Sequence, residues 1–111
     1  MRELLHIIQQ PKIMHIITKK RLDEFWVVHP ESKQALTNWF KAAKKAEWKS
    51  LADTKLDFSH AELVGKCIVF NLGGNNYRLI VKIKFRSRVI FVRFVLTHAQ
   101  YSRNRWKTDC I

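Results

Sequence analysis

Acidic residues are scarce in this sequence. Nine Asp and Glu stand against 21 Lys and Arg, giving a formal net charge of +12 over 111 residues. Between Leu63 and Thr108 there is no acid at all. That excludes from this half the paired carboxylates of a general acid/base site and the oxygen ligands of a hard-metal site. Cysteine is almost as rare. Cys67 and Cys110 do not make a disulfide framework; Cys67 falls within a strand and reads as a small buried hydrophobe, and both thiols are expected reduced. Neither they nor the five histidines show metal-ligand spacing, so no metal or other cofactor is expected. The adjacent Gly73 and Gly74 are followed by no helix and no Lys-Ser/Thr pair, which argues against a phosphate loop. No apolar run approaches membrane-spanning length, and Leu4 to Ile8 is too short and interrupted for a secretory core. The reading is a soluble, cytoplasmic protein.

What is present is a globular composition, 47% hydrophobic and 27% charged, in a length that suits one domain. The positive excess attracts polyanions, either nucleic acid or an anionic membrane surface, and its uneven distribution favours nucleic acid. The acid-free span carries Lys66, Arg78, Lys82, Lys84, Arg86, Arg88, Arg93, Arg103, Arg105 and Lys107. The acids lie between Glu3 and Glu62, apart from Asp109.

Residues 1–13 read as an N-terminal extension, with about two helical turns over Glu3 to Gln10 stopped by Pro11; residues 14–111 form the domain. Met14 to Ile17 is a short strand. Thr18 is placed as N-cap of a helix over Lys19 to Val28, whose Leu22, Phe25, Trp26 and His29 share one face. His29-Pro30 ends it, and a second helix runs roughly from Glu31 to Glu47 with Leu36, Trp39, Phe40 and Ala43 inward. Trp48 to Leu63 reads as mostly irregular, with at most a short turn over Asp53 to Phe58. Three antiparallel strands follow: Lys66 to Leu72, Tyr77 to Phe85 across a Gly-Gly-Asn-Asn turn, and Val89 to Leu96. The fold class is α+β, in the order β-α-α-β-β-β, with a short element at the C-terminus.

Side-chain alternation divides these strands into two faces. Leu79, Val81 and Ile83, with Ile90, Val92, Phe94 and Leu96, form the core face under the helix pair. Arg78, Lys82, Lys84 and Arg93 form the other, which is expected to be open, basic and partly apolar. Such a face holds phosphates, and Phe91 or Tyr101 offers a ring for an unpaired base. Metal-independent RNA cleavage uses the substrate 2′-OH as nucleophile. It needs a base for that hydroxyl, an acid for the 5′ oxygen and cations for the phosphorane. His98 stands alone at the exit of the sheet, and an unperturbed imidazole titrating near about 6.5 suits either proton role. Tyr101 can donate a hydrogen bond there, and Arg78 and Arg93 can stabilise developing charge. The bland readings are a His98 that caps a turn, a Tyr101 that packs over the sheet end, and lysines that are merely solvated.

Several separated motifs occur in order: His29-Pro30-Glu31, Trp39 with Lys44-Lys45-Ala46-Glu47-Trp48-Lys49, Ala52-Asp53, Val69-Phe70-Asn71, Gly74-Asn75-Asn76-Tyr77-Arg78-Leu79, and Arg93-Phe94 with Thr97-His98-Ala99-Gln100-Tyr101. Together they resemble the HigB family of toxins in the RelE-like superfamily, over about Met14 to Tyr101. The resemblance implies a RelE-like fold and the toxin of a type II toxin–antitoxin pair. It implies metal-independent cleavage of mRNA in the ribosomal A site, and a helix-turn-helix antitoxin of the HigA type that alone contacts operator DNA. It puts the family's arginine on Arg78 and its terminal pair on His98 and Tyr101. Arg93 joins them as a catalytic candidate, and Lys82, Lys84, Arg88, Phe91 and Arg103 as RNA-binding candidates. Family members commonly show Thr-His-Ala-Glu-Tyr-Asp; here Gln100 and Ser102 replace the two acids. Two other classes compete: a non-catalytic RNA- or ribosome-binding module, and a degenerate toxin that only binds its antitoxin.

Overall fold

The computed structural model describes residues 13–111; the helix expected over Glu3 to Gln10 lies outside them. Strand β1 is His15–Ile17 and helix α1 is Lys20–Val28. A 3₁₀ turn, Pro30–Ser32, leads into α2, Lys33–Lys45, and α3 is Leu51–Asp57. Then come β2 (Glu62–Val64), β3 (Cys67–Leu72), β4 (Tyr77–Lys84), β5 (Val89–Thr97), a short α4 (His98–Ser102) and a closing 3₁₀ segment, Arg105–Cys110. The five strands form one sheet in the order β1-β5-β4-β3-β2. Only β1 runs parallel to its neighbour, β5; the other pairs are antiparallel. The α+β class and the three-strand antiparallel run stand as read.

The helix layer buries its stripe on one sheet face. Leu22, Leu36, Trp39 and Ala43 meet Phe70, Leu79, Val81, Ile90 and Val92 there. Trp39 and Trp48 both pack against the Phe70 ring. Aromatic pairs of this kind add about 0.5–1.5 kcal/mol each beyond the area they bury, so Phe70 is the pivot between helices and sheet.

Three local expectations are corrected. Thr18 has φ 70°, the left-handed region, because the chain must reverse on leaving β1. Its side chain therefore caps nothing, and Lys19 is the N-cap without a side-chain bond. The region read as irregular contains α3 and β2. Ser50 starts α3 by accepting the Asp53 amide at 3.2 Å, and Asp53 accepts the Lys49 amide at 2.9 Å, a capping arrangement that the Ser-x-x-Asp spacing encodes. The third correction concerns β5. Its register against β4 slips between Ile80 and Val81, so that Ile80 faces Phe94 while Val81 faces Val92. Arg93 is the extra residue of a β-bulge. The slip inverts side-chain parity beyond it. Val95 joins the helix-covered core, whereas Phe94 and Leu96, expected on that face, lie on the opposite one.

The opposite face is not open. The C-terminal segment folds back over it, and Trp106 and Cys110 bury against Cys67, Val69 and Ile80. Cys67 and Cys110 are joined as a disulfide, 43 residues apart in sequence. This overturns the expectation of two reduced thiols. Two cysteines cannot announce their pairing from spacing alone; here the return of the tail across β3 brings their Cα atoms to 5.2 Å. The β2–β3 turn forms the seat for that return. A Cβ on Gly65 would lie 2.1 Å from the Cys110 carbonyl oxygen, and that oxygen accepts the Lys66 amide at 2.6 Å.

Candidate active site

Among the described residues, Arg78 is the cation with the most side-chain hydrogen bonds. It is 9% exposed, and its guanidinium is fixed by the turn that precedes it. Nη1 donates to Asn71 Oδ1 and the Asn75 carbonyl, both at 3.0 Å, and to the Tyr77 carbonyl at 3.2 Å. Nη2 donates to Asn75 Oδ1 at 2.7 Å, and Asn71 Nδ2 ties the two carboxamides together at 2.8 Å. The turn geometry makes this possible: Gly73, Gly74 and Asn75 all have positive φ, which aims the Asn75 oxygens back at the strand. A guanidinium has five donors in a planar fork. Nε–H and one Nη2–H keep no protein partner among the described residues, the edge that matches a phosphate in two parallel bonds.

His98 and Tyr101 reach the same end of the sheet on α4. The His98 amide donates to the Asn76 carbonyl at 3.0 Å, which pins the helix start to the turn holding Arg78. Thr97 and Gln100 form a reciprocal capping box, at 3.0 and 3.2 Å. The His98 ring is solvent-exposed, with Ser102 Oγ 3.5 Å from Nδ1. Tyr101 lies 5.0 Å by ring centroid from the Arg78 guanidinium and stacks on Trp106 at 4.9 Å. Burial, and then the charge of Glu62, push the Tyr101 phenol above its ordinary value, against the opposing pull of Arg78. Tyr101 therefore keeps its proton at neutral pH and has an O–H available to donate.

The remaining cations divide into held and free. Arg93 donates through Nε and Nη2 to the two oxygens of Asp109, at 2.7 and 2.8 Å, and Lys82 Nζ stands 3.6 Å from the same carboxylate. The hydrogen bond from Arg93 chiefly holds the Asp109 carboxyl below its usual range. Arg93 and Lys82 are thus brought together, but not as free phosphate ligands; the returning tail neutralises them. Lys84 stays exposed above the Phe91 ring, 5.8 Å from its centroid, at the far end of the strand pair. Arg88, at φ 58° in the β4–β5 turn, lies beyond it. Arg103 is exposed on the other side of α4 and borders a hollow of about 240 Å³ floored by Phe94, Leu96 and Trp106.

The residues missed by the sequence reading are Asn71 and Asn75, which aim Arg78, and Trp106 and Asp109, which cover the sheet. Asn75 was legible as part of the turn and Asn71 as part of the strand before it, but neither as a guanidinium acceptor. Asp109 carried a signal, as the lone acid beyond a long acid-free span. Among the described residues, no three His, Cys, Asp or Glu side chains gather as metal ligands, and no helix is long and apolar enough to cross a membrane.

The profile of a family described as HigB_toxin, RelE-like toxic component of a toxin-antitoxin system, matches residues 32–104. The chain belongs to this family. HigB-family relatives include the mRNA interferase toxin HigB of Escherichia coli strain K12, 31% identical over 91 residues, which span 79% of this chain and 88% of the relative. The mRNA interferase HigB of Shigella flexneri gives the same figures. That of Escherichia coli strain CFT073 is 28% identical over 93 residues, 81% of this chain and 90% of the relative. In HigB-family terms, the matched span includes Arg78, His98 and Tyr101 and ends at Asn104, where the tail begins.

Proposed function

We propose that this HigB-family toxin is an mRNA interferase whose reacting centre is the Arg78–Tyr101–His98 end of the sheet. The observation that carries the reading is the convergence on one turn. Arg78 is buried and aimed by Asn71 and Asn75, Tyr101 lies against it, and His98 is bonded to the same turn. In the proposed reaction the ribose 2′-OH attacks the adjacent phosphorus and the P–O5′ bond breaks. The products are a 2′,3′-cyclic phosphate and a 5′-hydroxyl. His98 exchanges the proton with a reacting oxygen, Arg78 meets the phosphorane through its unengaged edge, and Tyr101 donates to an oxygen of the same group. Arg93, at the bulge, supplies a second positive charge once it is free of Asp109. Lys82, Lys84, Arg88 and Arg103 track the backbone of the RNA, and the Phe91 ring stacks a base. No metal takes part in this scheme.

The substrate is translated message in the ribosomal A site, the location is the cytoplasm, and the neutralising partner is a helix-turn-helix antitoxin of the HigA type, through which alone the complex contacts operator DNA. The relatives' names support the message as target, and the family supports an antitoxin. The test is induction of the full chain in a bacterial host with and without its antitoxin, followed by mapping of RNA 5′ ends. Growth arrest with new 5′-hydroxyl ends, abolished in His98→Ala, is expected. Arrest without new ends would instead support the non-catalytic ribosome-binding reading. Binding of the antitoxin with neither arrest nor cleavage would support the degenerate-toxin reading.

A further inference from the structure

The tail beyond Asn104 lies outside the family match and is the part that blocks the proposed RNA face. Four contacts of different kinds hold it down. Trp106 stacks on Tyr101 and donates its indole N–H to the Tyr101 carbonyl at 2.9 Å. Asp109 takes both the fork of Arg93 and the ammonium of Lys82. The Cys110 carbonyl sits on Gly65 and accepts from Lys66. The Cys67–Cys110 bond closes the set. An arginine fork with two parallel bonds to a carboxylate has the geometry of an arginine–phosphate pair. Asp109 is therefore an internal substitute for a phosphate, carried on a tether that starts at Asn104, a residue in the left-handed conformation at φ 62°.

We propose that residues 104–111 are a thiol-controlled latch: oxidised, the tail holds Asp109 on Arg93 and Lys82 and closes the face to RNA, and reduction opens it. The inference rests on the reading of this face as the RNA-binding side of an interferase. The opening step consumes a dithiol. One thiolate attacks one sulfur of the Cys67–Cys110 bond to give a mixed disulfide. The second thiol displaces it, so that two electrons and two protons pass to the cysteines, the dithiol becomes a disulfide, and both cysteines become thiols. Both cysteines are buried, so the last turn must lift before the dithiol enters; Ile111, beside Cys110, is already 83% exposed. While the bond is intact, Asp109 faces its cations at the very high effective concentration of a short closed tether. Once it is broken, a single carboxylate competes with the many phosphates of an RNA for the same two cations.

The test uses the purified full chain, oxidised or treated with dithiothreitol, with Cys110→Ser and Gly65→Ala alongside. Gly65→Ala leaves both cysteines and all proposed catalytic residues in place but puts a methyl where the Cys110 carbonyl sits. Tail release is read by the rate of tryptic cleavage after Arg105 and Lys107, and binding by the fluorescence anisotropy of a labelled single-stranded RNA. Reduction and Cys110→Ser are expected to speed tail cleavage and tighten RNA binding by about tenfold or more, the scale of one charge-assisted hydrogen-bonded pair. Gly65→Ala, whose disulfide still tethers the tail, is expected to reach the same open state at a lower dithiothreitol concentration. If the tail is freed but RNA affinity is unchanged, the latch is wrong, and cleavage in a translating extract shows that the interferase reading survives. If the tail stays protected after reduction, the latch is equally wrong. If the tail is freed and no state binds or cuts RNA, the interferase reading falls and the latch falls with it.

Discussion

Asp109 and Arg93 face each other as a two-bond pair, at 2.7 and 2.8 Å, across 16 residues of chain that leave the sheet and come back. Alternation already turns Arg93 away from the helix-covered core, and the bulge adds Phe94 to the same side; the tail folding back over that side brings Asp109 to it. The pair gives a pH dependence whose sign is fixed. Asp109 titrates below its ordinary value of 3.8, chiefly through the Arg93 hydrogen bond. Its contribution to tail docking is complete above that value and is lost as pH falls through the lowered one. In the oxidised protein, the part of the amide exchange protection over residues 105–110 that Asp109 supplies should persist down to the ordinary aspartate value and disappear only below it. Asp109→Asn should lack the same protection at every pH. Protection lost well above that value would place the controlling group elsewhere.

Arg78→Lys retains the charge and removes the fork. The ammonium cannot serve Asn71, Asn75 and a phosphate edge together. We expect cleavage to fall by about 10²–10³, and unfolding in urea to shift by about 1–3 kcal/mol as the asparagine oxygens lose their buried donors. A variant with full activity would remove Arg78 from the reacting centre.

His98→Ala should separate chemistry from stability. His98 is exposed, and among the described residues the one polar side chain within hydrogen-bond reach of its ring is Ser102, with Oγ at 3.5 Å. Stability should change by no more than about 0.5 kcal/mol, while cleavage drops by about 10²–10⁴. RNA anisotropy on the reduced protein should be nearly unchanged. Equal loss of binding and cleavage would make His98 a contact residue only.

The sheet was legible because its signals are local. Alternation over Tyr77 to Phe85 and the Gly-Gly-Asn-Asn turn fix β3, β4 and their hairpin without reference to anything distant. Arg78 and His98 were legible as site candidates for the same reason, since both sit beside turns. The state of Arg93 and Lys82 was not, because it depends on Asp109, which reaches them only when the tail folds back. The faces of Phe94 and Leu96 were misread because a single inserted residue inverts parity, and no residue type in Val92-Arg93-Phe94 marks a bulge. The disulfide, likewise, follows from the path of the chain and not from spacing. Helix α3 was missed for a different reason: its Ser50-x-x-Asp53 start was present, but the helix is one of seven residues, too short for apolar periodicity to register.

Gln100→Glu restores the acid common in the family at this position. In this chain Gln100 Oε1 accepts the Thr97 amide at 3.0 Å, the task of the third residue in a capping box, which a carboxylate performs equally well. A negative charge in the first turn of a helix is also favourable by about 0.3–1 kcal/mol. The substitution should therefore leave the protein equally stable or slightly more so in urea, and the Thr97 amide should remain protected from exchange. Cleavage should change by less than about threefold, a change too small to require a lost or gained hydrogen bond at the reacting centre. A much larger gain would mean that the family's glutamate orients His98 and that Gln100 leaves this chain impaired. Ser102→Asp tested in the same series would then show whether the second missing acid shares that role, since its carboxylate would stand where Ser102 Oγ now approaches Nδ1.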